Sequence, residues 1–390
     1  MSISSAQSAP SARRTRDLRD LARLFARLGT LAFGGPAAHI AMMEDEVVKR
    51  REWLSHAEFL DMISACNLIP GPNSTEMALH IGQRRAGLTG LIVAGACFIL
   101  PAVAITIALA WAYVAFSQMP QLAGILYGIK PVIIAVVVQA VWRLARSALH
   151  TSFLVGLTVV AIAAALAGID EMVILIAAGI IAIAVLRVRG TLGASPVIGT
   201  AVTAVKAGVV AGAPFSLGAL FLIFLKIGSV LFGSGYVLLA FLQSDLVDRT
   251  HWLTQAQLLD AVAVGQITPG PVFTTATFVG YLLGGNAGAI IATVGIFLPA
   301  FFFVSISGPL LPHVRRSPIA GAFLDGVNAG SFALMVEVTW QLGRAAVVDV
   351  TTLALAIVSA ILLLRFRLNS AWLIALGGAV GAAATALARV

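Results

Sequence analysis

The sequence predicts an all-α, polytopic membrane protein built of two inverted-topology repeats with discontinuous transmembrane helices. Three observations lead to this fold class. Hydrophobic residues make up 59% of the 390 residues and charged residues only 11%, with a mean hydropathy of +0.99. A water-soluble domain would have too little polar surface to cover so many apolar side chains. A Gly- and Pro-rich pattern also occurs twice, and positive charges are distributed asymmetrically between the loops.

The chain divides into four parts. A polar, basic segment covers residues 1–19, a first repeat covers 20–187, a linker covers 188–218 and a second repeat covers 219–390. Residues 1–19 lack the apolar core and cleavage site of a signal peptide, so we expect none to be removed. Each repeat has six apolar segments, and the last two in each are close to the minimum for crossing a core of about 30 Å. The segments lie near residues 20–43, 58–82, 87–116, 120–142, 151–168 and 171–187, and near 215–241, 257–283, 287–311, 319–341, 350–365 and 369–388.

The repetition rests on motifs that lie 199 residues apart. The first copy contains Phe33-Gly34-Gly35-Pro36 and Pro70-Gly71-Pro72, and the second contains Phe232-Gly233-Ser234-Gly235 and Pro269-Gly270-Pro271. Trp53 matches Trp252 and, after a one-residue slip, Trp142 matches Trp340, so four of the six tryptophans pair. Chance matches of Ala or Leu are frequent in so apolar a chain, but chance pairing of tryptophans is not. The pattern indicates an ancient tandem duplication.

Positive charges orient the two repeats. In the first repeat they follow segments two, four and six, which are alternate loops on one side, and that side is predicted to be cytoplasmic. In the second repeat they follow segments three and five, so its orientation is predicted to be opposite; Arg344, after segment four, is the exception. The charges are Arg84, Arg85, Arg143, Arg146, Arg187 and Arg189 in the first repeat, and Arg315, Arg316, Arg365 and Arg367 in the second.

Opposite orientation requires an odd number of crossings between equivalent points, whereas six segments per repeat supply an even number. Either residues 196–213 form a thirteenth crossing or some broken segments are re-entrant, so totals of 10, 12 and 13 crossings stay open. With the basic N-terminus in the cytoplasm, thirteen crossings would place the C-terminus outside.

The Pro-Gly-Pro breaks predict an anion site. Each should end one half-helix, and Asn73-Ser74-Thr75 should cap the next. A helix that begins in mid-membrane presents free N–H groups and about half a positive charge, which favour an anion. The alternative is that the prolines only kink helices for packing. The candidate substrate-binding residues are Gly34, Gly35, Asn67, Gly71, Asn73, Ser74, Thr75, Gly233, Ser234, Gln266, Gly270, Thr274 and Thr275, and the candidate helix breaks are Pro36, Pro70, Pro72, Pro269 and Pro271.

Between the breaks lie charged stretches from Glu44 to Arg51 and from Asp245 to Arg249. They are interpreted as solvated or interfacial connections, with a basic vestibule for anions as the alternative.

Ionisable residues inside the apolar segments are candidates for coupling, because an isolated charge there costs several kcal/mol. They are Glu76, Lys130, Asp325 and Glu337. Lys130 lies in the fourth segment, and Asp325 and Glu337 lie in the equivalent segment of the second repeat, so an ion pair across the pseudo-symmetry axis is the hypothesis. Such a pair would be a static strut or a switching pair that couples protons. Glu76 would carry a proton or merely cap the first turn of its helix.

Several function classes find no support in the sequence. Cys66 and Cys97 have no CxxC or Cys/His spacing, so no disulfide, metal site or redox pair is expected. No Gly-rich loop ending in Lys-Ser or Lys-Thr is present, so ATP hydrolysis is not expected, and we expect no cofactor. The net charge of +8 fits cytoplasmic anchoring and contact with anionic lipids rather than nucleic acid. An intramembrane enzyme is the remote alternative, since no nucleophile and base or metal cluster lies in the segments.

At Phe33-Gly34-Gly35-Pro36, Pro70-Gly71-Pro72-Asn73 and their repeats, the chain resembles the chromate ion transporter family in its long, two-domain form. The resemblance covers about residues 20 to 389. It implies a multi-pass protein of a bacterial-type inner membrane that exports chromate by secondary transport and confers chromate resistance, with sulfate or another oxyanion as the alternative cargo. The second copy departs from the first at Ser234-Gly235 and Val272, so the first copy is favoured for coordination. The transport direction, the coupling ion and the oligomeric state, a homodimer included, stay open.

Overall fold

The computed structural model describes residues 8–116, 119–188, 214–233, 235–315, 317–366, 368 and 370–387. Within these residues the protein is all-α, with fourteen α-helices and no strand. Five described stretches are long and apolar enough to cross a membrane: Asn73–Phe116, Gln121–Ala148, Glu171–Val188, Val272–Ser307 and Pro318–Ala346. The predicted linker at 188–218 and its thirteenth crossing at 196–213 lie mostly or wholly outside the described residues.

The helices follow the order of the two repeats. The first seven are α1 (Ser8–Leu31), α2 (Gly35–Glu44), α3 (His56–Cys66), α4 (Asn73–Phe116), α5 (Pro120–Ala148), α6 (Ser152–Leu166) and α7 (Glu171–Val188). The second seven are α8 (Leu217–Val230), α9 (Leu238–Leu242), α10 (Gln255–Ile267), α11 (Thr275–Arg315), α12 (Pro318–Ala346), α13 (Val350–Phe366) and α14 (Ser370–Leu387).

The outward-facing surface is strongly apolar. Leu100 and Val160 are more than half exposed, and the tryptophan Trp340 is 65% exposed. Large exposed apolar surface of this kind is costly in water and is expected where lipid tails are the solvent. The protein is therefore a multi-pass membrane protein.

Helices α4 and α11 each fold back on themselves. Their backbones leave the helical region at Ala86–Gly87 and at Gly284–Gly285, where the second glycine has a positive φ. A Cβ added to Gly82 would lie 2.3 Å from the carbonyl oxygen of Gly90, so the two arms of α4 are in backbone contact. The first arm, residues 73–85, is about 20 Å long and cannot cross a core of about 30 Å.

The broken segments are re-entrant hairpins. Glu58, at the start of α3, accepts a hydrogen bond of 3.1 Å from Arg84, at the end of the first arm of α4. Both residues lie at the helix ends that are remote from the Pro-Gly-Pro break. Helix α3 and the first arm of α4 therefore run antiparallel, with the break at the tip of the hairpin. Arg27, near the end of α1, lies 3.3 Å from Glu46, just after α2, so the chain also reverses at the Phe-Gly break. The segments predicted at 20–43 and 58–82 are therefore not single crossings, which favours the re-entrant alternative.

Backbone features recur at equivalent positions of the two repeats. Capping boxes begin α3 at Ser55–Glu58 and α10 at Thr254–Gln257. Short π-helical turns precede them at Asp45–Arg50 and Gln243–Arg249. The repeats thus share local conformation as well as sequence.

The charged stretches that were interpreted as solvated connections contain buried, paired charges. Glu46 and Asp245 are buried. Lys226 donates to Asp245 at 2.6 Å, and Arg249 donates to Glu171 at 2.8 Å. Burial of these carboxylates is tolerated because each one forms an ion pair with a cationic side chain.

Asp170, in the connection between α6 and α7, belongs to the same cluster and bonds to Arg249. Burial alone would raise the pKa of Asp170, but the adjacent Arg249 guanidinium and backbone N–H groups hold that pKa below its usual range.

The second half of each repeat packs against the second half of the other repeat. Helix α5 packs against α13 and α14, while α12 packs against α6 and α7. The crossings are close because glycine removes the side chain: a Cβ on Gly128 would lie 1.9 Å from the Gly377 carbonyl oxygen, and one on Gly326 would lie 2.3 Å from that of Ala178. Helices α4 and α11 also pack together, as do α5 and α12. The contact between α4 and α11 joins the first halves of the repeats, which contain the breaks.

Candidate functional site

The helix breaks of the two repeats are joined by backbone hydrogen bonds. The Gly71 N–H donates to the Leu231 carbonyl oxygen at 2.8 Å, and the Gly270 N–H donates to the Ala32 carbonyl oxygen at 2.9 Å. Each Pro-Gly-Pro break therefore pairs with the end of the first helix of the other repeat. These two N–H groups are satisfied within the protein, so they are not the free donors that the sequence suggested.

The Phe-Gly breaks lie beside this junction. Gly34, Gly35 and Gly233 have positive φ angles of 106°, 78° and 87°, which only glycine adopts at little cost. Gly35 begins α2, and a Cβ there would lie 3.8 Å from the Tyr236 hydroxyl of the other repeat. Pro36 occupies the first turn of α2, where its missing N–H costs nothing. Ser234 lies outside the described residues.

The polar residues of the first Pro-Gly-Pro copy gather at the start of α4. The Asn73 side-chain amide donates to the Asn67 side chain at 2.9 Å. Ser74 and Thr75 are buried, and the Thr75 hydroxyl has no partner among the described residues. These residues lie beside the break, and ligand binding by them stays a prediction.

The second copy uses its polar groups differently. Thr274 and Thr275 donate their hydroxyls to the backbone carbonyls of Pro271 and Val272, at 2.9 and 2.8 Å. Gln266, the equivalent of Asn67, accepts a hydrogen bond of 3.1 Å from the Tyr236 hydroxyl. The two copies are thus chemically unequal, with an unpartnered hydroxyl described only at Thr75.

A cavity of about 210 Å³ lies against the Phe-Gly breaks. Its polar lining comes from Gln139, Arg143 and Ser147 of α5 and from Tyr236. A neighbouring cavity of about 580 Å³ shares Gln139 and Arg143 and extends to Arg146. No ion pair of Arg143 is seen within the part of the chain that the structure describes. This guanidinium is available to an anion.

Lys130 forms an ion pair, but not with the predicted partners. Its Nζ lies 3.0 Å from Asp260 of α10, which also accepts a hydrogen bond of 2.8 Å from Tyr113. Asp325 instead faces His150 at 3.7 Å, and Glu337 bonds to Gln341 on its own helix. The predicted pairing of Lys130 with Asp325 or Glu337 is therefore wrong: α10 comes between the repeats and supplies the carboxylate.

Comparison with known proteins decides the family. The model of the chromate transporter family matches residues 19–186 and 218–382. The chain belongs to the chromate transporter family. It is 31% identical over 371 residues to the chromate transport protein of Cupriavidus metallidurans, covering 94% of this chain and 92% of that protein. It is 34% identical over 332 residues to the chromate transport protein of Pseudomonas aeruginosa, covering 82% and 80%. No solved structure matches.

Sequence reasoning about this family member missed Arg143 as a site residue. Arg143 was assigned to a loop after a segment ending at 142, whereas α5 continues to Ala148. The signal was present, since Gln139, Arg143 and Ser147 are spaced four residues apart and so lie on one helix face. A polar stripe on an otherwise apolar membrane helix points toward a cavity or a neighbouring helix.

Proposed function

We propose that the protein is a secondary transporter that exports a tetrahedral oxyanion, chromate by preference, from the cytoplasm across a bacterial-type inner membrane. The names of its relatives, chromate transport proteins, support this cargo and support a transporter rather than an intramembrane enzyme. Sulfate is the alternative, because it is also a tetrahedral dianion.

The observation that carries the proposal is the cavity between Arg143 and the Phe-Gly breaks. A cavity of about 210 Å³ has room for an oxyanion and several waters of about 30 Å³ each. The planar guanidinium of Arg143 matches two oxygens of an oxyanion. Gln139 adds a second amide N–H beyond the one that it donates to the Leu363 carbonyl oxygen, whereas the hydroxyls of Ser147 and Tyr236 already donate within the protein.

The membrane potential supplies a driving force for export. Moving a dianion out of a negative-inside cell is favoured by about 4.6 kcal/mol per 100 mV. Transport without ATP is therefore feasible for this chain.

Arg143→Ala is expected to raise the KM for chromate about 10- to 100-fold, since a charge-assisted hydrogen bond contributes roughly 1.5 to 3 kcal/mol. Arg143→Lys should lose less, because the charge remains while the two-pronged geometry is lost. The measurement is the initial rate of chromate flux in proteoliposomes over a range of concentrations, with and without an imposed potential.

Arg84→Ala serves as the matched control, because Arg84 pairs with Glu58 at the exposed end of the α3 hairpin and should leave KM unchanged. An unchanged KM in a well-folded Arg143→Ala protein would reject the cavity as the site. Sulfate flux that exceeds chromate flux in the wild type would instead select the alternative cargo.

We also propose that the two repeats have opposite orientations. Arg85, at the turn of α4, forms an ion pair of 2.8 Å with Asp17 of α1. The N-terminal end of α1 and the turn of α4 therefore lie on the same side of the membrane. Arg85 also lies over Trp53, which follows the stretch Asp45–Arg50. The equivalent stretch of the second repeat, Gln243–Arg249, places Arg249 beside Asp170, between α6 and α7. The second arm of α4 and α5, which are long enough to span the membrane, and the shorter apolar helix α6 lie between these two places in the chain. Counted as three crossings, they support opposite sides. The charge distribution supports the cytoplasm for the first.

Single cysteines at Ala57 and Ala256, in a background with Cys66 and Cys97 replaced by alanine, test this orientation. The two positions are equivalent in the repeats and both exposed. A membrane-impermeant maleimide added to intact spheroplasts is expected to label Ala256→Cys, and to label Ala57→Cys only after permeabilisation. Equal labelling of both from one side would show parallel repeats.

A further inference from the structure

Glu76 is a buried carboxyl group without a partner. It lies in the first turn of α4, directly after the Pro-Gly-Pro break, and it is 0% exposed. Neither carboxyl oxygen has a hydrogen-bond partner among the described residues. An ionised carboxylate in such a place is strongly disfavoured, and the helix N-terminus offsets only part of that cost. Burial without a partner therefore favours the neutral carboxyl group here.

The groups around Glu76 supply no cation. Cys66 comes from the end of α3 and lies close enough to interact electrostatically. His80 is one turn further along α4, and its Nε2 has no partner in the described part of the chain. From α11, Ala300 approaches the neighbouring Gly71. Within the described residues, no Lys or Arg ion pair includes Glu76.

The other titratable groups on helices packed against α4 are directed elsewhere. His39 of α2 bonds to the Ala32 carbonyl oxygen and packs edge-on against Phe98. Asp260 of α10 pairs with Lys130. Both groups thus have partners other than Glu76, and it is a carboxyl oxygen of Glu76 that adjoins Gly71 at the Pro-Gly-Pro tip of the first repeat.

The carboxyl group of Glu76 also covers a junction between the repeats. A Cβ on Gly71 would lie 2.4 Å from Glu76 Oε1, and the Gly71 N–H is bonded to Leu231 of the second repeat. Movement of one repeat against the other would break the hydrogen bond between Gly71 and Leu231, which lies beside Glu76. Such a movement would admit water to Glu76, and water makes ionisation feasible.

We propose that Glu76 is the proton site of the transporter and that its proton travels in the same direction as the oxyanion. The reasoning rests on the proposed function. A dianion near the breaks repels an ionised Glu76, so each oxyanion that binds favours the protonated carboxyl, and the coupling is reciprocal. The proton is taken from water on the side where the oxyanion enters and is released to water on the other side. One net negative charge then leaves with each oxyanion, so the membrane potential contributes half of what it would for the dianion alone. The second repeat has Thr275 at the equivalent position, so one proton site serves the pair.

Proteoliposomes containing the full chain and an entrapped pH-sensitive dye test the proposal. The potential is clamped at zero with potassium and valinomycin, and a chromate gradient is imposed at alkaline pH, where chromate is a dianion. The wild type is expected to move protons with chromate. Glu76→Gln keeps the shape of the protonated carboxyl, so proton movement should fall about tenfold or more relative to chromate counterflow, which should persist.

Glu44→Gln is the matched control, because Glu44 is a carboxylate of the same repeat that pairs with His56 at the end of α2. It should retain the proton signal. Infrared difference spectra give a second measurement: the band of a protonated carboxyl should be present in the wild type and missing in Glu76→Gln.

The outcomes separate the two proposals. Wild-type chromate flux without any change in lumenal pH, or an unchanged proton signal in Glu76→Gln, would overturn the proton site while leaving chromate transport intact. Proton movement opposite to chromate would overturn the shared direction. No chromate flux by the wild type would instead remove the proposed function.

Discussion

Replacing Gly270 with alanine is expected to abolish transport and to lower the free energy of unfolding by about 2 to 5 kcal/mol. Gly270 has a φ of 86°, a conformation that costs a non-glycine residue about 1 to 2 kcal/mol. The added Cβ would also lie 2.6 Å from the Ala102 Cβ and 3.0 Å from the Gly29 carbonyl oxygen. Relief of that clash would pull the Gly270 N–H away from Ala32, to which it donates at 2.9 Å.

Gly285→Ala separates backbone strain from the clash. Gly285 has a φ of 59° and a ψ of −147°, and a Cβ there would meet nothing within 4 Å, so we expect only the backbone cost of about 1 to 3 kcal/mol and retained transport. Thermal unfolding in detergent and chromate flux in proteoliposomes measure the two effects. Equal stability and activity of Gly270→Ala and Gly285→Ala would contradict the tight junction of the breaks.

The breaks themselves were predictable because Gly and Pro act locally. Pro70-Gly71-Pro72 and its repeat interrupt helices through the missing N–H of proline and the freedom of glycine, whatever surrounds them. The sequence also located the ends of the apolar segments near Arg84 and Arg85, where α4 turns at Gly87. What it left open was whether the chain continues across the membrane or returns, because that depends on contacts such as Glu58 with Arg84.

The partners of the site residues were not predictable from spacing. The repeat pattern placed Lys130 in the segment equivalent to that of Asp325 and Glu337 and so directed attention to α12, whereas the packing of α10 against α5 brings Asp260 to Lys130. Similarly, the N–H groups of Gly71 and Gly270 looked free because their acceptors lie in the other repeat. Long-range packing decides both, and local pattern does not encode it.

Lys130→Ala is expected to destabilise the protein by about 3 kcal/mol or more, because it leaves Asp260 as a buried charge without a cation. The Asp260 side chain is 6% exposed, and Lys130 is 21% exposed. The hydrogen bond from Tyr113 remains in this variant but cannot neutralise the charge. Tyr113→Phe, which removes only that hydrogen bond, should cost about 1 kcal/mol and serves as the control.

The double variant Lys130→Met with Asp260→Asn is expected to regain most of the lost stability, because no unpaired charge remains and an asparagine still accepts from Tyr113. Thermal unfolding of the wild type, Lys130→Met, Asp260→Asn and the double variant gives a coupling free energy, which is expected to be about 2 kcal/mol or larger. Additive losses would show that the pair does not interact. If the pair of Lys130 and Asp260 only holds α5 against α10, chromate flux should return together with stability in the double variant. Flux that stays lost in a stable double variant would mean instead that Lys130 changes partners during transport, and the oxyanion is the competing anion that could draw it from Asp260.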